Sequence, residues 1–411
     1  MKRFVLLIAA IGICALQSGC NSSSVAADAP PDFKAIPGDA SVTLAWTAAP
    51  DVEYWLFYGA GSGITSTNWA STGGKAVINV TSPYTITGLV NNSTYSFTMN
   101  GRKNGGPGGP GAPTQVVQPR FAGTNWTAAT ALGAGKLSGI GALTTSNVIV
   151  GAGGTIFTST NGALSSAQTN PSAPADLNAV IYGGVAFVTV GAAGTVVSST
   201  DGTTWTTRTS GTVADLNGVA TPGTGAFVAV GAAGTIIFSA DGTIWTTPAS
   251  ATTKTLYAAT YGAGRYVAVG ASGTIVSSTD GSTWVAAAVN TPNDLRGVAL
   301  GTFLTTTGTG TTAVTTTNNI FVAVGAAGTL LTSSDGLTWT LRAPISASTM
   351  NAVVFGGQFV AVGNGGSIYT STDGISWQAR VSGTTNDLNA LARTSSGYIT
   401  VGAAGTNLTS F

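Results

Sequence analysis

Between Arg120 and the C-terminus the only acidic side chains are nine aspartates, and their spacing sorts them into two sets. Five stand in Ser-x-Asp-Gly-x-x-Trp: Asp201, Asp241, Asp280, Asp335 and Asp373, followed four residues later by Trp205, Trp245, Trp284, Trp339 and Trp377. The other four, Asp176, Asp215, Asp294 and Asp387, each precede a leucine. A glycosidase sets two such carboxylates on either side of the scissile bond. Here every acid occupies a recurring position, so no pair is singled out for that work. The chain has no histidine, its only glutamate is Glu53, and its two cysteines are Cys14 and Cys20. Histidine-assisted serine chemistry therefore has no base, and zinc has no imidazole or thiolate beyond residue 20. The expectation is a protein that is not an enzyme, with no catalytic residue, no metal site and no cofactor.

The two sets carry different expectations. In the Asp-Gly turns a carboxylate accepts backbone N–H bonds within its own turn, a structural task repeated far from any single site. The Asp-Leu positions begin strands, and Arg296, Asn178, Asn217, Asn351 and Asn389 follow closely. A candidate ligand ring of Asp176, Asp215, Asp294, Arg296 and Asp387 would stand at one mouth of a central channel and could hold a cation, a sugar or a peptide. The plainer reading is that each Asp caps the turn leading into its own strand.

These residues must be positioned by the repeat that carries them. A Val-Gly pair recurs at Gly151, Gly191, Gly231, Gly270, Gly325, Gly363 and Gly402, in steps of 40, 40, 39, 55, 38 and 39. The long step holds a Thr/Gly-rich insertion over residues 305–317. Each unit reads as four short strands separated by Gly-rich turns, with Gly supplying positive φ in the turn after Val-Gly. In the unit around Gly231, Trp245-Thr246-Thr247 opens the fourth strand. Repeated four-stranded sheets bury both faces only against one another, which predicts a radial array with each Trp wedged between neighbours. The last unit stops after a third strand, while Gly123-Thr124-Asn125-Trp126-Thr127 has the form of a fourth strand with nothing before it. That predicts a ring of seven blades closed by an N-terminal strand, three plus one, leaving no exposed edge.

The Asp-Gly-Trp series resembles the Asp-box repeat of bacterial neuraminidase-type and photosystem II assembly-factor-like propellers, with the turn one residue shorter than usual in those families. The resemblance implies a β-propeller whose Asp turns lie on the face opposite the ligand site. The first unit departs from it, with Ser159-Thr160-Asn161-Gly162 and Ser165 in place of Trp.

Ahead of the repeat, residues 32–119 alternate apolar and polar with period two, as in Ser41-Val42-Thr43-Leu44-Ala45-Trp46 and Glu53-Tyr54-Trp55-Leu56-Phe57-Tyr58. Trp46, the Tyr84-x-Ile86-x-Gly88-Leu89 run and Tyr95 resemble a fibronectin type III domain, Tyr95 standing at that family's corner tyrosine. Its aromatics Trp46, Tyr54, Trp55, Tyr58 and Tyr95 read as sandwich core, with a sugar-stacking platform as the alternative. Residues 21–31 read as a tether. Lys2, Arg3 and the apolar run over residues 4–16, ending in Leu16-Gln17-Ser18-Gly19-Cys20, resemble a bacterial lipoprotein signal, which implies lipidation of Cys20.

The expected organisation is thus all-β: a signal over 1–20, a tether over 21–31, a fibronectin type III-like sandwich over 32–119 and a seven-bladed propeller over 120–411. Seven Arg, two Lys and nine Asp cancel in the last segment, so nucleic acid is not an expected partner and membrane contact is expected through the lipid alone. The function expected is that of a monomeric, non-catalytic binding or scaffolding lipoprotein of the outer membrane or cell surface that recognises a protein or glycan. The alternatives are a carbohydrate-active protein, lectin or divergent glycosidase, and an assembly factor for a membrane complex.

Overall fold

A computed structural model describes residues 24–143, 146–159, 165–307, 314–394 and 397–410. Cys20 and the Thr160-Asn161-Gly162 segment lie outside the described residues. The chain divides into two units, Met1–Pro119 and Arg120–Phe411.

In the first unit Lys34–Gly38, Ser41–Ala45 and Tyr84–Thr87 form one antiparallel sheet. Glu53–Ala60 and Tyr95–Lys103 centre a second, with Lys75–Val77, Gln115–Val117 and Val25–Ala27. Period-two alternation turns Val42, Leu44, Tyr54, Leu56, Phe97 and Met99 into one buried core. Trp46 meets Tyr54 edge-on at 5.7 Å, and Tyr58 stacks on Phe97 at 5.8 Å. Tyr95 packs on the same core, and its hydroxyl accepts the Val90 N–H at 3.1 Å. Trp55 departs from the expected core set. Being one residue out of step with Tyr54 and Leu56, it faces the other side of the sheet, where the Arg102 guanidinium lies 3.6 Å from its ring. The segment expected to be a tether also departs. Val25–Ala27 pairs with Gly101–Lys103, and Gly106 and Gly109 bring their backbones so close to Val25 and Ala27 that a Cβ on either would collide.

Among the described residues the second unit contains seven antiparallel sheets in chain order. The second sheet is typical: Leu177–Tyr182, Phe187–Gly191, Val196–Ser199 and Thr206–Arg208. The seventh takes Leu388–Arg393, Tyr398–Gly402 and Asn407–Ser410, and its fourth strand is Thr127–Ala128, paired as Leu408↔Ala128 and Thr409↔Thr127. The Trp126 indole N–H donates to Gly123 O at 2.9 Å, and Gln358 donates to Ala122 O at 2.7 Å, fixing the approach to that strand.

Apolar side chains alternate along each strand and gather in seven cores, one at each junction between adjacent sheets. Between the second and third sheets Val188, Val190 and Val196 meet Leu216, Phe227 and Trp245. Between the seventh and first, Ile399 and Val401 meet Leu137, Ile140 and Ile149, so the junctions form a closed cycle. Burying each such side chain contributes roughly 1.5–3 kcal/mol. Trp205, Trp245 and Trp284 are buried in these junctions, and Trp339 and Trp377 are half-buried against them.

Two local expectations change. The Val-Gly glycines are extended, with φ near −165° at Gly191, Gly231 and Gly402. Two later residues of each turn are left-handed: the first is often not glycine, as at Ala193, Ala233, Ser272, Ala327 and Ala404, while the second is glycine as expected, at Gly194, Gly234, Gly273, Gly328 and Gly405. The Val-Gly glycine is needed because a Cβ there would collide with a backbone carbonyl just before the first strand, Asp176 O at Gly191 and Asp215 O at Gly231. The fourth strand of the third sheet shrinks to one bridge, Phe238↔Thr246. Pro248 stands where Arg208 continues the equivalent strand, and proline has no N–H to extend the ladder.

Candidate functional site: the channel mouth

The first strand of each sheet pairs only with the second, so its other edge faces the axis. Near its start every first strand has a register shift, between Leu216 and Gly218 for instance, and the same shift occurs in all seven sheets. A β-bulge leaves one residue out of the ladder and re-aims its side chain. The seven residues so released are Ser138, Asn178, Asn217, Tyr257, Arg296, Asn351 and Asn389, and all seven line a cavity of about 470 Å³. The next residue is always Gly or Ala because the inner strands converge: a Cβ on Gly218 would stand 2.9 Å from Ala258 Cα.

Four ring positions are asparagines with one shared task. The Nδ2 groups of Asn178, Asn217, Asn351 and Asn389 donate to Leu216 O, Leu256 O, Leu388 O and Leu137 O, each at 2.9 Å. Each bond ties one sheet to the free edge of the next. Three positions forgo it. Tyr257 donates its hydroxyl to Asp294 Oδ2 at 3.4 Å, and the Arg296 guanidinium lies 5.3 Å from the Tyr257 ring and 3.7 Å from Asp294. That ion pair is partly exposed and worth about 0–1 kcal/mol. A second cavity of about 450 Å³ adjoins the mouth, with Lys136, Arg296, Asp387 and Asn389 in its wall.

The four Asp-Leu aspartates do stand at this end, but they cap a different turn from the one expected. Asp176, Asp215, Asp294 and Asp387 accept the N–H of Gly153, Ala193, Ser272 and Gly365 at 2.7, 2.8, 3.0 and 2.8 Å. Each donor is the first left-handed residue in the turn of the preceding sheet. That conformation costs a non-glycine residue roughly 1–2 kcal/mol, and the carboxylate bond offsets part of it. Among the described residues no three of His, Cys, Asp and Glu gather as a metal-ligand set. Of the ring, Arg296, Asn178, Asn217 and Asn389 are visible in the sequence as residues following the Asp-Leu pairs, and Asn351 follows Met350 at the same place in its unit. Ser138, Tyr257 and Lys136 are not, although aligning the units on the residue after each strand-opening leucine or methionine finds the first two.

At the other end of the sheets each of the five Asp-Gly carboxylates accepts backbone N–H bonds within its own turn. Asp280 Oδ1 accepts the N–H of Ser282 and Thr283 at 2.8 and 2.7 Å and the Ser278 hydroxyl at 2.9 Å. Ser278 Oγ in turn accepts the Gly281 N–H at 2.9 Å, and the Trp284 indole N–H donates to Gly281 O at 3.1 Å. The amides of Thr283 and Ser282 lower the Asp280 carboxyl to about 2, and those of Thr338 and Leu337 lower Asp335 to about 2. The amides of Thr204 and Thr203 hold Asp201 still lower, as the hydroxyl and amide of Thr243 do Asp241. At Asp373 burial opposes the shift, but the amides of Ser376 and Ile375 outweigh it.

Two expected results follow from those turns. A carboxyl depressed on folding contributes stability above its unfolded value, about 3.9, and that contribution is lost as pH falls through the folded value. With no histidine to titrate, the melting temperature should stay level from pH ~8 down to ~5 and then fall between ~4 and ~2. A decline already present at pH ~6 in thermal melts would contradict this. Asp280→Ala should lower the melting temperature by a few degrees and leave partner binding intact; binding lost at an unchanged melting temperature would contradict the structural role.

No protein-family model matches the chain, and no curated protein matches it in sequence. Solved structures match it in shape. YCF48 from Cyanidioschyzon merolae superposes with a TM-score of 0.53 at 18% identity, over 69% of this chain and 98% of that one. A YCF48 bound to a D1 peptide gives 0.55 at 16% identity, over 70% and 94%. The second unit is a β-propeller. Virginiamycin B lyase from Staphylococcus aureus also superposes, at 0.57 and 11% identity, over 69% and 97%. At these identities the likeness speaks for the propeller fold alone, and that fold serves an enzyme as well as a peptide-bound protein.

Proposed function

We propose that this chain is a non-catalytic binding protein of the cell envelope whose seven-bladed propeller takes a protein partner at its channel mouth. The reading is carried by one observation: the seven-fold ring of bulged residues, stapled by Asn at four positions, is unstapled at Ser138, Tyr257 and Arg296, the last two gathered beside Asp294. Giving up three inter-sheet hydrogen bonds costs stability, and sites that sacrifice stability are commonly functional. YCF48, a propeller of similar shape, is bound to a peptide, which favours a protein ligand and the assembly-factor variant of this role. The first unit, a fibronectin type III-like sandwich in this reading, is the spacer. Lipidation of Cys20 would leave residues 21–24 before the strand at Val25, a reach of about 14 Å, so the anchored unit would lie against the membrane surface.

Cross-linked capture with the full chain tests the mouth. Arg296→Ala and Tyr257→Ala are each expected to weaken retention of the captured partner about thirtyfold, as an interface hot spot would, at an unchanged melting temperature. Partner retention indifferent to both substitutions would refute the site, and hydrolysis of a glycan library by the wild-type chain would replace this reading with the carbohydrate-active one. Mass spectrometry of the N-terminal peptide tests the anchor, which an unmodified Cys20 would rule out.

A further inference from the structure

The fifth sheet differs from the rest in its inner hairpin. Elsewhere in the propeller the first strands run for five to seven residues, Leu216–Ala220 and Leu256–Gly262 marking the extremes. Here the first two strands are Leu295–Thr307 and Val314–Gly325, 13 and 12 residues, paired out to Thr307↔Val314. The described part of the Thr-rich insertion is thus a two-stranded ribbon that prolongs the sheet. Its base is held firmly: Phe303 meets Phe355 edge-on at 5.0 Å and Phe359 at 6.0 Å, and the Thr302 hydroxyl bonds Asn319 Oδ1 at 3.1 Å.

The third strand, Leu330–Ser333, covers only Phe321 to Val324 of the second. It stops there because Ser333 opens the Asp335 turn and the chain swings away. Over residues 314–320 the ladder therefore continues only toward the first strand, and among the described residues no third strand runs beside the outer edge. A cavity of about 580 Å³ runs along that edge, between Asn318, Asn319 and Ile320 on one side and Thr338, Thr340 and Arg342 on the other.

Uncovered edges template further strand pairing, and proteins blunt them with short strands, charges or proline. The other outer edges of this propeller show those devices. Their fourth strands are two or three residues long, with Arg208 and Arg380 on two and Pro248 beside the third sheet's bridge. The ribbon's own strands show none: between Arg296 and Asp335 the chain has no charged residue and no proline, and the two charges that share the cavity beside them, Arg342 and Asp373, lie outside the ribbon and are of opposite sign. A strand edge with no charge meets an identical edge without repulsion, and a two-fold axis brings the same edge of two molecules together antiparallel. Threonine-rich strands also gain cross-strand hydroxyl contacts when paired with themselves.

We propose that the outer edge of this ribbon, residues 314–320, pairs antiparallel with the same edge of a second copy of the chain, joining two propellers in a two-fold dimer through a continuous sheet. A monomer is the expectation stated from the sequence; the unprotected ribbon is the feature that departs from it. This dimer is independent of the channel mouth, which lies at the opposite end of the sheets.

The test uses the full chain in detergent with one added cysteine at a time, Thr317→Cys or Asn319→Cys, and Thr203→Cys on an exposed Asp turn as the control. Antiparallel pairing about a two-fold axis places a residue near its own copy, so one ribbon variant should give a disulfide-linked dimer on oxidation. The control and the wild-type chain should not. The double variant Thr317→Lys, Asn319→Lys should sediment as a monomer at a concentration where the wild type is dimeric, with an unchanged thermal melt. The proposal is overturned by any of three results: no cross-link at either ribbon position, equal cross-linking at Thr203, or a dimer that survives the two lysines. A ribbon cross-link to a different protein in place of a second copy would overturn it as well.

Discussion

Gly231→Ala is expected to cost more than about 3 kcal/mol in urea unfolding of the propeller, beyond the usual range for an overpacked core. The backbone at Gly231 is extended, at φ −165°, so alanine can adopt it without conformational strain. The cost comes from space. Ala232 N–H donates to Asp215 O at 2.8 Å, which draws that carbonyl against Gly231, and a Cβ there would overlap it. Both colliding groups are backbone held by the ladder between the first and second strands, so neither can rotate away. Gly135→Ala is the matched control. No atom lies within 4 Å of the Cβ it would add, and its cost should stay within about 0.5 kcal/mol. Equal stability of the two variants would show that the close approach is not what keeps glycine at this position.

Phe359→Ala should cost about 3–5 kcal/mol, the range for deleting a fully buried phenylalanine. Its ring is inaccessible between the fifth and sixth sheets, 4.9 Å from Phe355, 6.0 Å from Phe303 and 6.2 Å from Trp377. The cavity left behind would open beneath the ribbon as well, since Phe303 rests on the same ring. Phe359→Leu should recover most of the loss, because a smaller apolar side chain still fills part of the space. Loss of less than about 1 kcal/mol in Phe359→Ala would mean that the junction collapses freely, contrary to its close packing.

The architecture is readable in the sequence where one physical demand recurs seven times. Val-Gly marks the repeat because the same carbonyl presses on the same glycine in sheet after sheet, although positive φ is the reason that sequence alone suggests. The lone Gly-x-x-Trp-Thr start after Arg120 is readable as a fourth strand, and it pairs where expected, at Leu408↔Ala128. What sequence does not reveal is where a side chain goes once the ladder slips. A bulge leaves no trace in hydrophobic alternation, so Tyr257 looks like an ordinary strand residue until its register places it in the mouth. The target of each Asp-Leu carboxylate is equally hidden, since Asp215 reaches Ala193, 22 residues back in another sheet. The defect at Pro248 lies between these cases. A proline directly after Trp245-Thr246-Thr247 is plain to see, but that it cuts a ladder short follows only once the partner strand is known.

The closing strand also has a temporal consequence. Thr127 and Ala128 are among the first residues of their unit to leave the ribosome, and Leu408 and Thr409 are among the last. Six sheets can assemble from neighbours in the chain, but the seventh waits for a contact spanning nearly the whole unit, the kind of non-local pairing that slows folding. Until Leu408 and Thr409 have emerged, the first and last sheets lack each other and keep apolar surface uncovered, and in that interval the unit is most exposed to misassembly.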